Sequence, residues 1–146
     1  MREGVVRTVN VQQLSVFIEN KTGRVSEVSD VLGGQGINIR GFSVSDTADY
    51  GIVRLIVDDP VQGREVLQAA GFTVKVSEVL CINLPDHPGG LASVLRIVSD
   101  AGVNIEYVYS LISTYVVINV ADIDRALVLL KDKPVQLVTQ EEIAQI

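Results

Sequence analysis

The sequence predicts an α+β fold made of two tandem copies of one strand–helix–strand–strand–helix–strand unit. Three observations carry this. First, a shift of 66 residues sets Leu14 on Leu80, Gly23 on Gly89, Val28 on Val94, and Gly36-Ile37-Asn38-Ile39 on Gly102-Val103-Asn104-Ile105, with no gap from residue 14 to residue 45. Second, apolar residues recur in the same order of strand-like and helix-like patterns in both copies. Third, the apolar set is rich in Val and Ile and poor in aromatics (5%), a composition suited to half-buried sheet.

Each element follows from local chemistry. Leu14–Ile18 is a β-branched run that reads as a buried strand. A polar break, Asn20-Lys21-Thr22-Gly23, precedes Val25, Val28, Val31 and Leu32 at helical spacing. Gly33, Gly34 and Gly36 end that helix, because glycine adopts left-handed backbone without steric cost. Ile37–Ser45 and Ile52–Val57 read as the next two strands. Pro60 suits the first turn of a second helix, whose apolar face is Val66, Leu67 and Ala70. Thr73–Val79 alternates and reads as the fourth strand. After Ser45 the shift falls to 63, so Ile52–Val57 pairs with Tyr115–Val120 and Asp59 with Asp122. The second copy then reads as strand Cys81–Leu84, a helix near Leu91–Ala101, strands Val103–Leu111 and Tyr115–Val120, a helix near Ile123–Lys131, and strand Val135–Val138. This is the ferredoxin-like βαββαβ order, which predicts in each copy a four-stranded antiparallel sheet with two helices on one face. The expected domains are residues 12–78 and 79–146, with residues 1–11 as an N-terminal extension that could add an edge strand. No Gly or Pro stands between Thr73 and Leu84, so the copies join without a flexible linker.

Charge and cysteine usage narrow the function classes. The net charge is −6 and the twelve basic residues are scattered, which argues against nucleic acid or an anionic membrane as partner. Cys81 is the single cysteine, so no internal disulfide forms. With no apolar leader or spanning stretch, the expectation is a cytoplasmic protein.

Two constellations carry possible chemistry. The strand-to-helix loops Glu19-Asn20-Lys21-Thr22-Gly23-Arg24-Val25 and Pro85-Asp86-His87-Pro88-Gly89-Gly90-Leu91 both place a short polar side chain three residues before a glycine. Helix capping by Asn20 and Asp86 explains this blandly. A ligand explains it equally: free helix amides suit a carboxylate, and a side-chain oxygen accepts from an ammonium group. An α-amino acid carries both groups. The second constellation is Asn38 and Asn104, each between branched apolar residues and each 18 residues after its loop partner.

Asp86-His87-Pro88-Gly89-Gly90-Leu91 followed by Gly102-Val103-Asn104-Ile105 resembles the motif of ACT domains. The first copy departs at Thr22, where proline is usual, and has Val25 for leucine. The resemblance covers about residues 12 to 142 and is similar to stand-alone tandem ACT proteins that have no catalytic domain. It implies a non-catalytic sensor that binds a free amino acid at interfaces between ACT units, without cofactor or metal; a homodimer is expected separately, from small repeats with open sheet edges. The implied ligand-binding residues are Asn20, Lys21, Thr22, Gly23, Asn38 and Ile39 in the first copy. In the second they are Asp86, His87, Pro88, Gly89, Gly90, Asn104 and Ile105. The alternative is a regulatory or structural subunit that binds an amino-acid-biosynthetic enzyme, with the loop residues acting as caps.

Other features point away from chemistry. His87 is the single histidine and has no nucleophile converging on it. Cys81 sits in an apolar run and reads as core. Gly33-Gly34-Gln35-Gly36 follows a helix, so it is no phosphate loop. Asp46-Thr47-Ala48-Asp49-Tyr50-Gly51 reads as a hairpin, with a ligand-reaching loop as the lesser reading. Tyr107 and Tyr109 alternate on one strand and are expected to flank the sheet at an interface and to stack against the other copy.

Overall fold

The computed structural model describes residues 10–19, 21–46 and 50–146. The elements in chain order are β1 (Val11–Glu19), α1 (Arg24–Gly34), β2 (Ile39–Asp46), β3 (Tyr50–Val57), α2 (Pro60–Ala69) and β4 (Thr73–Asn83), then α3 (Gly90–Asp100), β5 (Ile105–Ser110), β6 (Tyr115–Val120), α4 (Ile123–Leu130), β7 (Gln136–Leu137) and α5 (Gln140–Ala144). The fold is α+β, with antiparallel pairing at every defined register.

The chain divides into two compact units. The first holds Gln12–Ser77 together with Glu141–Ile146, so the last residues of the chain group with the first repeat. In it the strands follow the order β2-β3-β1-β4. The registers set Leu14 opposite Leu55, Val16 opposite Val53, and Phe42 opposite Leu55. Alternate residues of β1, namely Leu14, Val16 and Ile18, meet Val28 and Leu32 of α1 and Leu67 of α2 in one buried cluster. The period-two strand and the 3.6-period helix thus each supply one apolar face to the same core.

The second unit holds Glu78–Gln140, with Asn10 and Val11 among the described residues that group with it. Here β4 pairs with β6, β6 with β5, and β7 with β4. Leu80 lies opposite Ile118 and Ile82 opposite Val116. These four pack with Val94 and Val98 of α3 and Ala126 and Leu130 of α4.

The repeat persists at the level of single hydrogen bonds. Lys21 N–H to Glu19 O (2.8 Å) recurs as His87 N–H to Pro85 O (3.0 Å). Glu27 N–H to Gly23 O recurs as Ser93 N–H to Gly89 O, both at 2.9 Å. Ile37 N–H to Leu32 O recurs as Val103 N–H to Val98 O. At the shift of 63, Asp59 and Asp122 each cap a helix through Oδ1, accepting from Gln62 N–H and Arg125 N–H at 3.1 Å. Removing either carboxylate by Asp59→Ala or Asp122→Ala should lower stability by about 1 kcal/mol. Urea denaturation of the two variants checks this, and both losses should be of similar size.

Three details differ from the sequence reading. The strands expected at Thr73–Val79 and Cys81–Leu84 merge into one continuous strand, β4, which ends at Asn83, because no Gly or Pro interrupts the extended backbone. The last strand of the second copy contracts to Gln136–Leu137, after Pro134. A short helix, α5, follows it and buries Ile143 fully. Of the N-terminal extension, residues 1–9 lie outside the described residues, so its expected edge strand is not described. Among the described residues, no helix is long and apolar enough to cross a membrane.

Candidate functional site

Each repeat carries its strand-to-helix loop at the start of a helix and its Gly-x-Asn turn after the end of the same helix. In the second unit, Asp86, His87, Pro88 and Gly89 are exposed and Gly90 is buried. The loop is closed by His87 N–H to Pro85 O and Gly90 N–H to His87 O, both at 3.0 Å. Gly89 is the N-cap of α3, at φ 86°. This left-handed conformation favours glycine, which pays no Cβ penalty there. In the first unit Gly23 plays the same part for α1, at φ 88°.

These caps correct one expectation. Neither Gly23 nor Gly89 supplies a side-chain cap, and among the described residues no side-chain oxygen accepts from the first turn of α1 or α3. Asp86 therefore does not cap α3, because the left-handed glycine occupies the cap position three residues further on. The Asp86 carboxylate has no hydrogen bond or ion pair among the described residues. Asn20, its counterpart, lies outside the described residues. Beside it, Lys21 pairs with Glu19 at 3.2 Å, and both side chains are mostly exposed. Thr22 and Gly23 are exposed. Arg24 pairs with Glu27 at 3.0 Å and lays its guanidinium 4.8 Å from the centre of the Phe72 ring.

The Gly-x-Asn turns are built alike, but they are held differently. Gly36 and Gly102 have φ of 73° and 90°. Asn38 and Asn104 are both exposed, and neither side chain is hydrogen-bonded among the described residues. The first turn is tied by backbone and by another residue: Asn38 N–H donates to Asp58 Oδ1, and Asp58 N–H donates to Asn38 O, both at 3.0 Å. The tie at the turn therefore uses the Asn38 backbone, and the Asn38 side-chain amide is left over. Ile39 and Ile105 are half-buried and pack against the two cores.

One unit does not bring its loop and its asparagine together. The 11-residue α3 stands between Asp86 and Asn104, and the 11-residue α1 between Lys21 and Asn38. That separates the two ends by about 16 Å, more than the span of an amino-acid head group.

The remaining candidates resolve simply. His87 is exposed and its Nδ1 lies 3.0 Å from Pro88 O, to which it donates in the Nδ1-protonated tautomer. Cys81 is fully buried and forms no disulfide. Tyr107 and Tyr109 stack on each other, with centroids 6.3 Å apart. Asp46 lies opposite Gly51, and the rest of the expected hairpin, Thr47–Asp49, lies outside the described residues. Among the described residues, no group of three His, Cys, Asp or Glu is placed to hold a metal.

The tandem architecture with two glycine-capped loops matches the family described as ACT domain pair over residues 9–146. The chain belongs to this family. Protein BT0572 from Bacteroides thetaiotaomicron is 38% identical, with 94% of this chain and 98% of that chain covered and a TM-score of 0.87. Two less similar structures share the fold. The regulatory subunit of aspartate kinase from Thermus thermophilus, in its ligand-free form, is 17% identical over 84% of this chain and 89% of that one, with a TM-score of 0.62. The regulatory subunit of aspartate kinase from Thermus flavus is 18% identical with the same coverage and a TM-score of 0.56. Among curated proteins, no match to this sequence was found.

In this ACT pair, two features of the site escaped sequence reasoning. One is the steric demand at Gly90, itself a sequence candidate, where a Cβ would lie 2.1 Å from Pro85 O. The other is Asp58, whose carboxylate holds a turn 20 residues away in sequence. A readable signal for Asp58 existed: at the shift of 63 it falls on Ala121, so the two copies differ there.

Proposed function

We propose that this ACT pair is a cytoplasmic, non-catalytic sensor that binds a free amino acid through its strand-to-helix loops. The observation that carries the reading is the exposed, uncommitted Asp86 carboxylate beside left-handed Gly89. A carboxylate that neither caps a helix nor pairs with a cation is available to accept from an ammonium group. The first amides of α3, left without a side-chain cap, suit the ligand's carboxylate. Each repeat, 12–78 and 79–146, is read as one ferredoxin-like βαββαβ unit.

The separation of loop and asparagine supports a homodimer. A ligand that touches both takes its loop from one chain and its Gly-x-Asn side chain from a second copy. Binding then shifts the population of paired arrangements, provided that affinity differs between them. The fold shared with regulatory subunits of aspartate kinase supports control of an amino-acid-biosynthetic enzyme as the output.

Thermal-shift measurement with each of the twenty amino acids tests the reading. Ligand at a hundred times its dissociation constant should stabilise the protein by about 2.7 kcal/mol. Asp86→Ala and Asn104→Ala are both exposed changes, so each should leave the unliganded melting temperature close to wild type and remove most of the shift. A full shift in both variants would place the ligand elsewhere.

A further inference from the structure

Two equivalent corners of the repeat differ in a coordinated way. In the first unit, the Asn38 N–H donates to the Asp58 carboxylate at 3.0 Å. The equivalent residues in the second unit are Asn104 and Ala121, and Ala121 has no carboxylate. The Asn104 N–H has no acceptor among the described residues. Where the carboxylate would stand, a cleft of about 200 Å³ opens, lined by Val103, Asn104, Ala121, Asp122, Arg125 and Leu129 among others.

A second difference lies in the same cleft. Gln62 of the first unit is replaced by Arg125. The Arg125 backbone N–H is taken up by Asp122 Oδ1, but its guanidinium has no ion pair or hydrogen bond among the described residues. One negative side chain is lost and one positive side chain is gained at the same corner. Asp122 does not offset this difference, because the first unit carries Asp59 in its place, with the same bond to the helix.

We propose that this cleft binds a small aliphatic carboxylate. Its carboxylate accepts from the Asn104 N–H, where the first unit uses Asp58. Arg125 supplies the counter-charge, and a short apolar body rests on Val103, Ala121 and Leu129. The first unit serves as an internal template, since there a carboxylate already sits on the same amide of the same turn. Charge-assisted bonds of this type are stronger than neutral ones, and apolar walls favour a branched hydrocarbon body over a bare inorganic anion. The cleft shares Asn104 with the amino-acid site proposed above, using its backbone N–H where that site uses the side chain, and it does not include the loop residues Asp86–Gly90.

The test is an NMR titration of the full ¹⁵N-labelled chain with sodium isovalerate, with inorganic phosphate and sodium chloride at matched ionic strength as parallel arms. A saturable shift of the Asn104 amide is expected with isovalerate, persisting in Asp86→Ala. Ala121→Asp, which installs the first unit's own carboxylate, should abolish the saturable shift. Arg125→Gln should weaken binding about tenfold, the loss of one hydrogen bond to a charged group. The double variant D58A/Q62R should create a second saturable response at Asn38. Equal binding of phosphate would overturn the proposed ligand class. An Asn104 shift that follows ionic strength alone, or isovalerate binding unchanged in Ala121→Asp, would overturn the site. Arg125 is exposed, so Arg125→Gln decides the matter if Ala121→Asp fails to fold.

Discussion

Gly90→Ala is expected to be the most damaging single change in either strand-to-helix loop, worse than Gly89→Ala. Backbone conformation alone suggests the opposite order, since Gly89 holds the positive φ of 86°. A Cβ at Gly89, however, meets nothing within 4 Å, so the cost there is the left-handed strain of about 1–2 kcal/mol. A Cβ at Gly90 would lie 2.1 Å from Pro85 O and 3.1 Å from Pro85 C, both backbone atoms that cannot rotate away. The loop must open, and the bond from Gly90 N–H to His87 O must lengthen or break. Overpacking of this kind costs about 3 kcal/mol, or a fall of roughly 6–12 °C in melting temperature for a chain of this size. The first loop shows what an opened turn looks like. There Arg24 stands at the Gly90 position, and its N–H to Lys21 O distance is 3.3 Å against 3.0 Å. Differential scanning calorimetry of both variants decides the order. A Gly90→Ala variant as stable as Gly89→Ala would mean that the second loop relaxes at little cost.

Leu80→Ala should cost about 3–5 kcal/mol. Leu80 is fully buried on β4, directly across from fully buried Ile118, in the core shared with Val94, Val98 and Leu130. Truncation removes the transfer energy of the missing carbons and leaves a cavity that flanking β-branched residues cannot fill. Val128 provides the control, since it is 73% exposed on α4 and Val128→Ala should change stability by no more than about 0.5 kcal/mol. Chemical denaturation followed by circular dichroism measures both. Similar losses in the two variants would contradict the assignment of the core.

The order of elements was legible because it rests on short-range chemistry repeated twice. Gly23 and Gly89 mark helix starts, Gly36 and Gly102 mark helix ends, and Asp59 and Asp122 cap helices at equivalent places. What sequence did not reveal depends on contacts distant along the chain. Gln13 and Ser15 are polar, yet both are buried on β1, which only tertiary packing decides. The helix at Gln140–Ala144 has five residues, too few to show a helical period. The expectation that Asp86 caps α3 failed because a glycine in left-handed conformation already ends the loop. At the candidate site, the residue types and their equivalence were readable. The 11-residue helix that keeps each loop from its own asparagine was readable as well, but its consequence appears only once both ends are placed in space.

The glycine-capped loops are expected to hold a free amino acid. A two-dimensional NMR titration of the ¹⁵N-labelled chain with pooled, then single, amino acids tests it most directly. Saturable shifts are expected at the Gly89 and Gly90 amides at the start of α3, with smaller shifts at Gly23, and their loss in Asp86→Ala. Absence of any saturable shift in these loops up to 10 mM of every amino acid, roughly the weakest affinity a millimolar-range sensor could use, would contradict it.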